Sequence, residues 1–300
     1  MEEKENANQV TIKKKKWLLN LLLLSCLCVF SGRAFQHFFQ DIPLRTLLWD
    51  QSLMEPLVNF ILNLRWEDYT SDRKWDKAIQ MIIKLMGVVY FICAAVCVSI
   101  YFQSKKYAKL LIIGSFSLLM LSFIYFIDKF FRLGELFEYT AQWMSPVVLY
   151  MLVIKDVKIY ALGFYMRVAV ALTFAGHGLY AIGFYPIPGQ FIDMIIMALH
   201  VDESTAVVLL QCAGWIDLAI AVLILVPFVY RYAALYAFAW GILTANARVW
   251  SNYDATLPLG SLYQWFPETL VRFASAISPL AIYYTSIYLD KRLAICKALR

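Results

Sequence analysis

Residues 135–152, ELFEYTAQWMSPVVLYML, and residues 268–285, ETLVRFASAISPLAIYYT, carry one pattern twice: a Glu standing ten residues before a Ser-Pro pair within an apolar run. Glu135 leads to Ser145-Pro146, and Glu268 leads to Ser278-Pro279. The agreement extends outward from there. Each half opens with a His-bearing apolar segment, followed by a Pro seven residues before an Asp, Pro43…Asp50 and Pro186…Asp193. Self-similarity on this scale signals a unit made twice, so that each half annotates the other.

The 300 residues are 62% hydrophobic and 16% charged, with a mean hydropathy of +0.64, which excludes an ordinary soluble domain. A helix needs about 20 apolar residues to cross a bilayer. Runs of that kind lie at 17–38, 77–102, 108–129, 136–154, 159–184, 204–230, 232–250 and 267–288. With an even number of crossings per half, both halves run in the same sense, related by a pseudo-twofold along the membrane normal. The fold class expected is all-α, a polytopic membrane bundle of about eight transmembrane helices in two parallel four-helix repeats with outer interfacial helices. The units are a basic segment 1–16, repeats 17–155 and 156–290, and a basic tail 291–300.

Basic residues set the topology. Lys13 to Lys16, Lys105, Lys106, Lys109, Lys155, Lys158, Arg231, Lys291, Arg292, Lys297 and Arg300 all fall on one side of an eight-span arrangement. Both termini are therefore expected in the cytoplasm, and the membrane expected is the bacterial inner membrane. The net charge of +6 is this bias and implies no nucleic-acid partner. Residues 13–32 have the outline of a signal peptide, but the residues after Cys26 stay apolar instead of forming a polar tether, so the segment is read as a retained span.

Two stretches after the first span of each half, 43–64 and 186–200, are too short or too polar to cross. They read as interfacial helices, the first interrupted at Pro56, that either lid a cavity or seal the bundle end.

Charge inside hydrocarbon costs about 2.5–3.5 kcal/mol on insertion scales, so each such residue calls for a partner or a role. The candidate polar site of the first repeat is His37, Lys84, Asp128 and Glu135, with Lys84 pairing Asp128 or Glu135. That of the second repeat is His177, Asp217, Arg248 and Glu268, with Asp217 pairing Arg248 and with Asn246 nearby. Nearly all lie in the outer half of the bilayer, with Asp217 deepest near the middle of its span, which predicts an outward-facing polar cavity. The alternative is that the charges only satisfy one another. Arg167 is expected to snorkel. The six cysteines make no CxxC pair and read as packing residues. There is no HExxH, P-loop, Rossmann glycine pattern or GxSxG, and no metal-ligand set is predicted.

The stretch MRVAVALTFAGHGLYAIGFYP, with Arg167 ten residues before His177-Gly178, resembles the first helix of DoxX-like membrane proteins. The Gly214…Asp217 span and the closing VRFASAISPLAIYY resemble the rest of that superfamily's four-helix unit over about residues 160–290. The first half departs from it, with no counterpart to Arg167 and Phe38 in place of Gly178. The resemblance implies a duplicated four-helix unit and, because some members are subunits of quinone-linked sulfur or thiol oxidoreductases, a membrane subunit of a quinone- or lipid-linked oxidoreductase. A quinone is the cofactor this would bring, with redox or assembly subunits as partners beside the lipid bilayer. A dithiol role does not carry over, since the cysteines it would use are missing. A small-solute transporter and a non-catalytic assembly or scaffold subunit remain open.

Overall fold

A computed structural model describes the backbone of residues 2–155 and 157–298 and the side chains of residues 15–155 and 157–287. Among the described residues all regular structure is helical. In chain order the helices are α1 (Glu2–Phe39), α2 (Leu44–Leu48), α3 (Gln51–Leu57), α4 (Trp66–Ser71), α5 (Arg73–Tyr101), α6 (Leu110–Asp128) and α7 (Leu133–Glu138). They continue with α8 (Thr140–Val153), α9 (Ile159–Ala181), α10 (Gly189–Leu199), α11 (Glu203–Leu223), α12 (Tyr230–Ser251) and α13 (Pro258–Ala298).

Six segments are long and apolar enough to cross a membrane: Lys15–Phe39, α5, α6, α9, α11 and Pro258–Ile287. Their outward faces carry exposed large apolar side chains, among them Met81, Phe91, Ile113, Phe116, Trp215 and Val222. A surface of that kind is what lipid covers and water does not. Two expected spans have a different character. The stretch 136–154 is divided at Tyr139 into α7 and α8. The stretch 232–250 forms α12, long enough to cross but made less apolar by Arg231, Asn246 and Arg248. Residues 2–16 of the basic segment form the first turns of α1. The side chains of Lys291, Arg292, Cys296, Lys297 and Arg300 lie outside the described residues.

Local chemistry explains the breaks. Pro56 has no N–H to give, and α3 passes into a π-helical turn, Val58–Leu62, that ends on left-handed Asn63 (φ 51°). Pro267 inside α13 frees the carbonyl of Tyr263, which accepts a hydrogen bond from Gln40 Nε2 at 3.0 Å. The restart of α8 leaves the Ala141 N–H without an intrahelical partner, and Thr173 Oγ1 on α9 accepts it at 3.0 Å.

Packing joins the two halves of the chain along their length. Helix α1 lies between α5 and α13, while α9 lies between α11 and the α7–α8 pair. Helix α12 packs on α13, and α6 packs on α7–α8. The shared core includes Leu22, Phe30, Leu111, Leu149, Leu162 and Ile282. Cys26, Cys93 and Cys97 are buried free thiols in it, and no cluster of His, Cys, Asp or Glu among the described residues is arranged to hold a metal. Helices α2–α4 and α10 gather at the bundle end reached by the last residues of α1 and α9.

Candidate functional site

Near that end, two polar clusters form where a helix from one half meets a helix from the other. The first centres on Arg33, whose side chain is 2% exposed. Its guanidinium donates to Gln36 Oε1 at 2.9 Å and to Gln142 Oε1 at 2.8 Å. It also rests 5.7 Å and 5.2 Å from the ring centres of Tyr125 and Tyr139, which stack on each other. Gln36 Nε2 in turn donates to Glu268 Oε1 at 2.7 Å, linking the first helix to the last. This cluster is closed upon itself.

The second cluster centres on Glu138, placed at the α7–α8 break and buried. It receives Arg272 Nη1 at 2.9 Å and lies 3.4 Å from His177 Nδ1. A carboxylate at Nδ1 fixes the imidazole's orientation and leaves Nε2 as the nitrogen available to another group. Arg248 approaches from α12, in the electrostatic reach of Arg272, Glu268 and Glu138. It is 4% exposed, makes no ion pair among the described residues, and its Nε has no hydrogen-bond partner.

Beside this cluster opens a cavity of about 430 Å³ walled by α9, α10, α11, α12 and α13. Its walls are mostly apolar, with Phe174, Phe191, Ile195, Leu210 and Leu243 among them. The polar side chains that reach it are few: His177, Asp217, Arg248, Arg272, Thr244 and Ser275. Asp217 lies against Trp240, and its Oδ1 is buried without a partner. Few convergent polar groups in an apolar concavity of this size are the usual build of a small-molecule site.

Helix α10 closes the cavity, and it differs from its opposite number in the first half. Around α2, Ile42 and Leu44 are buried against Ile79, Ile83, Leu121 and Ile124, filling that space with side chains. No residue of α10 is buried, although it reads GQFIDMIIMAL. Its apolar face stands over a space instead of a packed core.

The sequence candidates are redistributed by the tertiary structure. His177, Asp217 and Arg248 do share one cavity. The expected Asp217–Arg248 ion pair is absent among the described residues, because Asp217 turns to Trp240 while Arg248 turns toward the Glu138 cluster. Asn246 is exposed and donates to the Ile242 carbonyl at 2.8 Å, away from the site. Glu268 is engaged by Gln36 of the other half and does not line the cavity.

The first-half set does not assemble. The His37 ring is held through Nδ1 by the Arg33 carbonyl at 2.7 Å and packs edge-on against Tyr90. Lys84 is exposed on the outer surface of α5 and forms no ion pair among the described residues. Asp128 accepts from Thr46 Oγ1 at 2.8 Å and pairs with Lys129 at 3.4 Å. Glu135 is buried on α7. Arg167 lies over the Tyr230 ring at 4.6 Å, a contact that suits an amphipathic stem.

Sequence reading missed Arg33, Glu138, Gln142 and Arg272. Three were one helical turn from a site candidate, Arg33 from His37, Glu138 from Glu135 and Arg272 from Glu268, and Gln142 lies three residues before Ser145 of the Ser-Pro pair. Residues three or four apart share a helix face, and that signal could have found them.

No family model matches the chain, and no curated protein or solved structure matches it.

Proposed function

We propose that this chain is an eight-span membrane protein made of a duplicated four-helix unit similar to that of DoxX-like proteins. Both termini are cytoplasmic, and the second-repeat cavity faces outward. In this reading the cavity holds a quinone- or lipid-like amphiphile, and the chain serves a quinone- or lipid-linked oxidoreductase as its membrane subunit.

Four glycines support the duplication. A Cβ on Gly32 would meet Pro267 O at 2.9 Å and Val271 at 2.8 Å, and one on Gly176 would meet Gly134 O and Glu138 N at 2.7 Å. Pro267 and Val271 follow Gly134 and Glu138 by the same 133 residues that separate Ser145 from Ser278. Likewise Gly87 abuts His37 and Phe38, while Gly214 abuts Ala181 and Ile182. Exchanging the halves turns each contact into the other. In this register Arg33 takes the place of His177, one turn from the pairing of the two histidines that sequence alignment suggests.

The observation that carries the functional reading is the cavity itself, an apolar space that His177, Arg248 and Arg272 reach from the side of Glu138. An apolar ligand body would displace water from Phe174, Phe191 and Leu210, and its polar head would meet His177 and Arg248. His177, oriented by Glu138, would present Nε2 to a head-group oxygen, the position from which a quinone-linked proton could be exchanged. The filled space beneath α2 weighs against a transport path that uses both repeats alike.

The test is mass spectrometry of lipids and quinones retained by the protein after gentle detergent extraction, compared between wild type and Ala247→Trp. A molecule kept at near-stoichiometric level by wild type and lost by the folded variant is the expected result. Equal retention by both, or none by wild type, sinks the reading.

A further inference from the structure

We infer that the ligand of this cavity is an amphiphile with an anionic head group, carboxylate or phosphate, seated on Arg248 with its chain under α10. This rests on the cavity being an amphiphile site, and it goes further by fixing the sign of the head group's charge.

Three observations lead there. First, the charges around the cavity are unequally satisfied. Glu138 is matched by Arg272 and His177, and Arg33 is matched through Gln36 to Glu268. Of Arg33, Arg248 and Arg272, each of which has an unpartnered Nε, only Arg248 also lacks both an ion pair and a side-chain hydrogen-bond acceptor among the described residues. A guanidinium offers a planar fork of donors suited to two oxygens of one carboxylate or phosphate. A buried, always-charged group without a partner is costly, and an anionic ligand removes that cost.

Second, the place where the chain would lie is apolar and closed by a helix with nothing beneath it. Phe191, Met194 and Ile195 of α10 line the cavity, yet α10 has no buried residue. A hydrocarbon chain would give that face the contact which Ile42 and Leu44 receive from protein in the first half.

Third, Asp217 leaves Arg248 unpaired. It belongs to a different wall, against Trp240, and does not neutralise Arg248.

The experiment uses the full chain in nanodiscs of neutral lipid and compares dodecanoate, dodecyl phosphate and dodecanol by direct binding. Wild type should bind one or both anions at least tenfold more tightly than dodecanol. A preference for dodecanoate points to a free acyl carboxylate, and one for dodecyl phosphate points to a lipid phosphate. Arg248→Gln should remove the preference by lowering affinity for the anions at least tenfold. Arg248→Lys, which keeps the charge should the Gln variant fail to fold, should retain part of it. Equal binding of anions and dodecanol by wild type overturns the anionic head group but leaves the amphiphile reading standing. Failure of all three ligands to bind overturns both.

Discussion

The hydroxyls of Ser145 and Ser278, 133 residues apart in sequence, meet at 3.3 Å in the middle of the bundle, with Ser25 Oγ also 3.3 Å from Ser145. These are the serines of the two Ser-Pro pairs. Equivalent atoms can touch one another only close to a rotation axis, so this contact is where a twofold between the halves would run. Small side chains are needed there because α8 and α13 approach closely.

Size, more than hydrogen bonding, should govern that position. Hydrogen bonds between membrane helices average about 0.6 kcal/mol. Ser145→Ala and Ser278→Ala should therefore change unfolding free energy in mixed micelles by less than about 1 kcal/mol. Ser278→Leu overfills the contact and should cost roughly 1–3 kcal/mol. Equal effects of Ala and Leu would argue that the hydroxyl contact matters and the close approach does not.

Gly176 holds α9 against the α7–α8 break, and its Cβ would lie 2.7 Å from backbone atoms of Glu138 and Gly134. Backbone cannot swing aside as a flexible side chain can. Gly176→Ala should destabilise by roughly 1–3 kcal/mol and shift Glu138 away from Arg272. Gly189, with nothing within 4 Å of its would-be Cβ, should accept Ala without loss. Thermal unfolding of the two variants side by side is the check.

Glu138 is the single carboxylate shared by Arg272 and His177. Glu138→Gln strands a buried cation and should cost about 3–5 kcal/mol, whereas the double variant Glu138→Gln, Arg272→Met should recover much of it. An additive double mutant would mean the two side chains do not form a coupled pair in the membrane.

Lys84 and His37 were candidates in the sequence beside Arg248, whose half carries the better chemical set, and the fold separates them. Lys84→Ala changes an exposed residue with no ion pair and should leave ligand retention within twofold of wild type. Cavity-filling Ala213→Trp should abolish it with the unfolding midpoint kept, since Ala213 lines open space. Loss of retention in Lys84→Ala would return the site to the first half.

Much of the fold was legible in the chain. Apolar runs of this length dictate helices because a helix satisfies its backbone hydrogen bonds within one segment, and the short stretches between them announced α2, α3 and α10. The break at Tyr139 was not legible. It depends on Thr173 of another helix accepting the Ala141 N–H, and no local pattern encodes a partner 32 residues away.

For the site, the sequence by itself determined which side chains would be expensive to bury and at what depth, since helical rise converts position into depth. That is enough to nominate His177, Asp217 and Arg248. Only the tertiary structure decided the partners. Helix rotation and the pairing of one half's last helix with the other half's first bring Glu138 to His177 and Arg272, and Glu268 to Gln36. Charge pairing acts over a few ångströms between helices, and periodicity within a helix gives a face without saying which neighbour it meets. The cavity under α10 is likewise a tertiary outcome, because the same kind of short apolar segment packs onto a filled core in one half and spans an open space in the other.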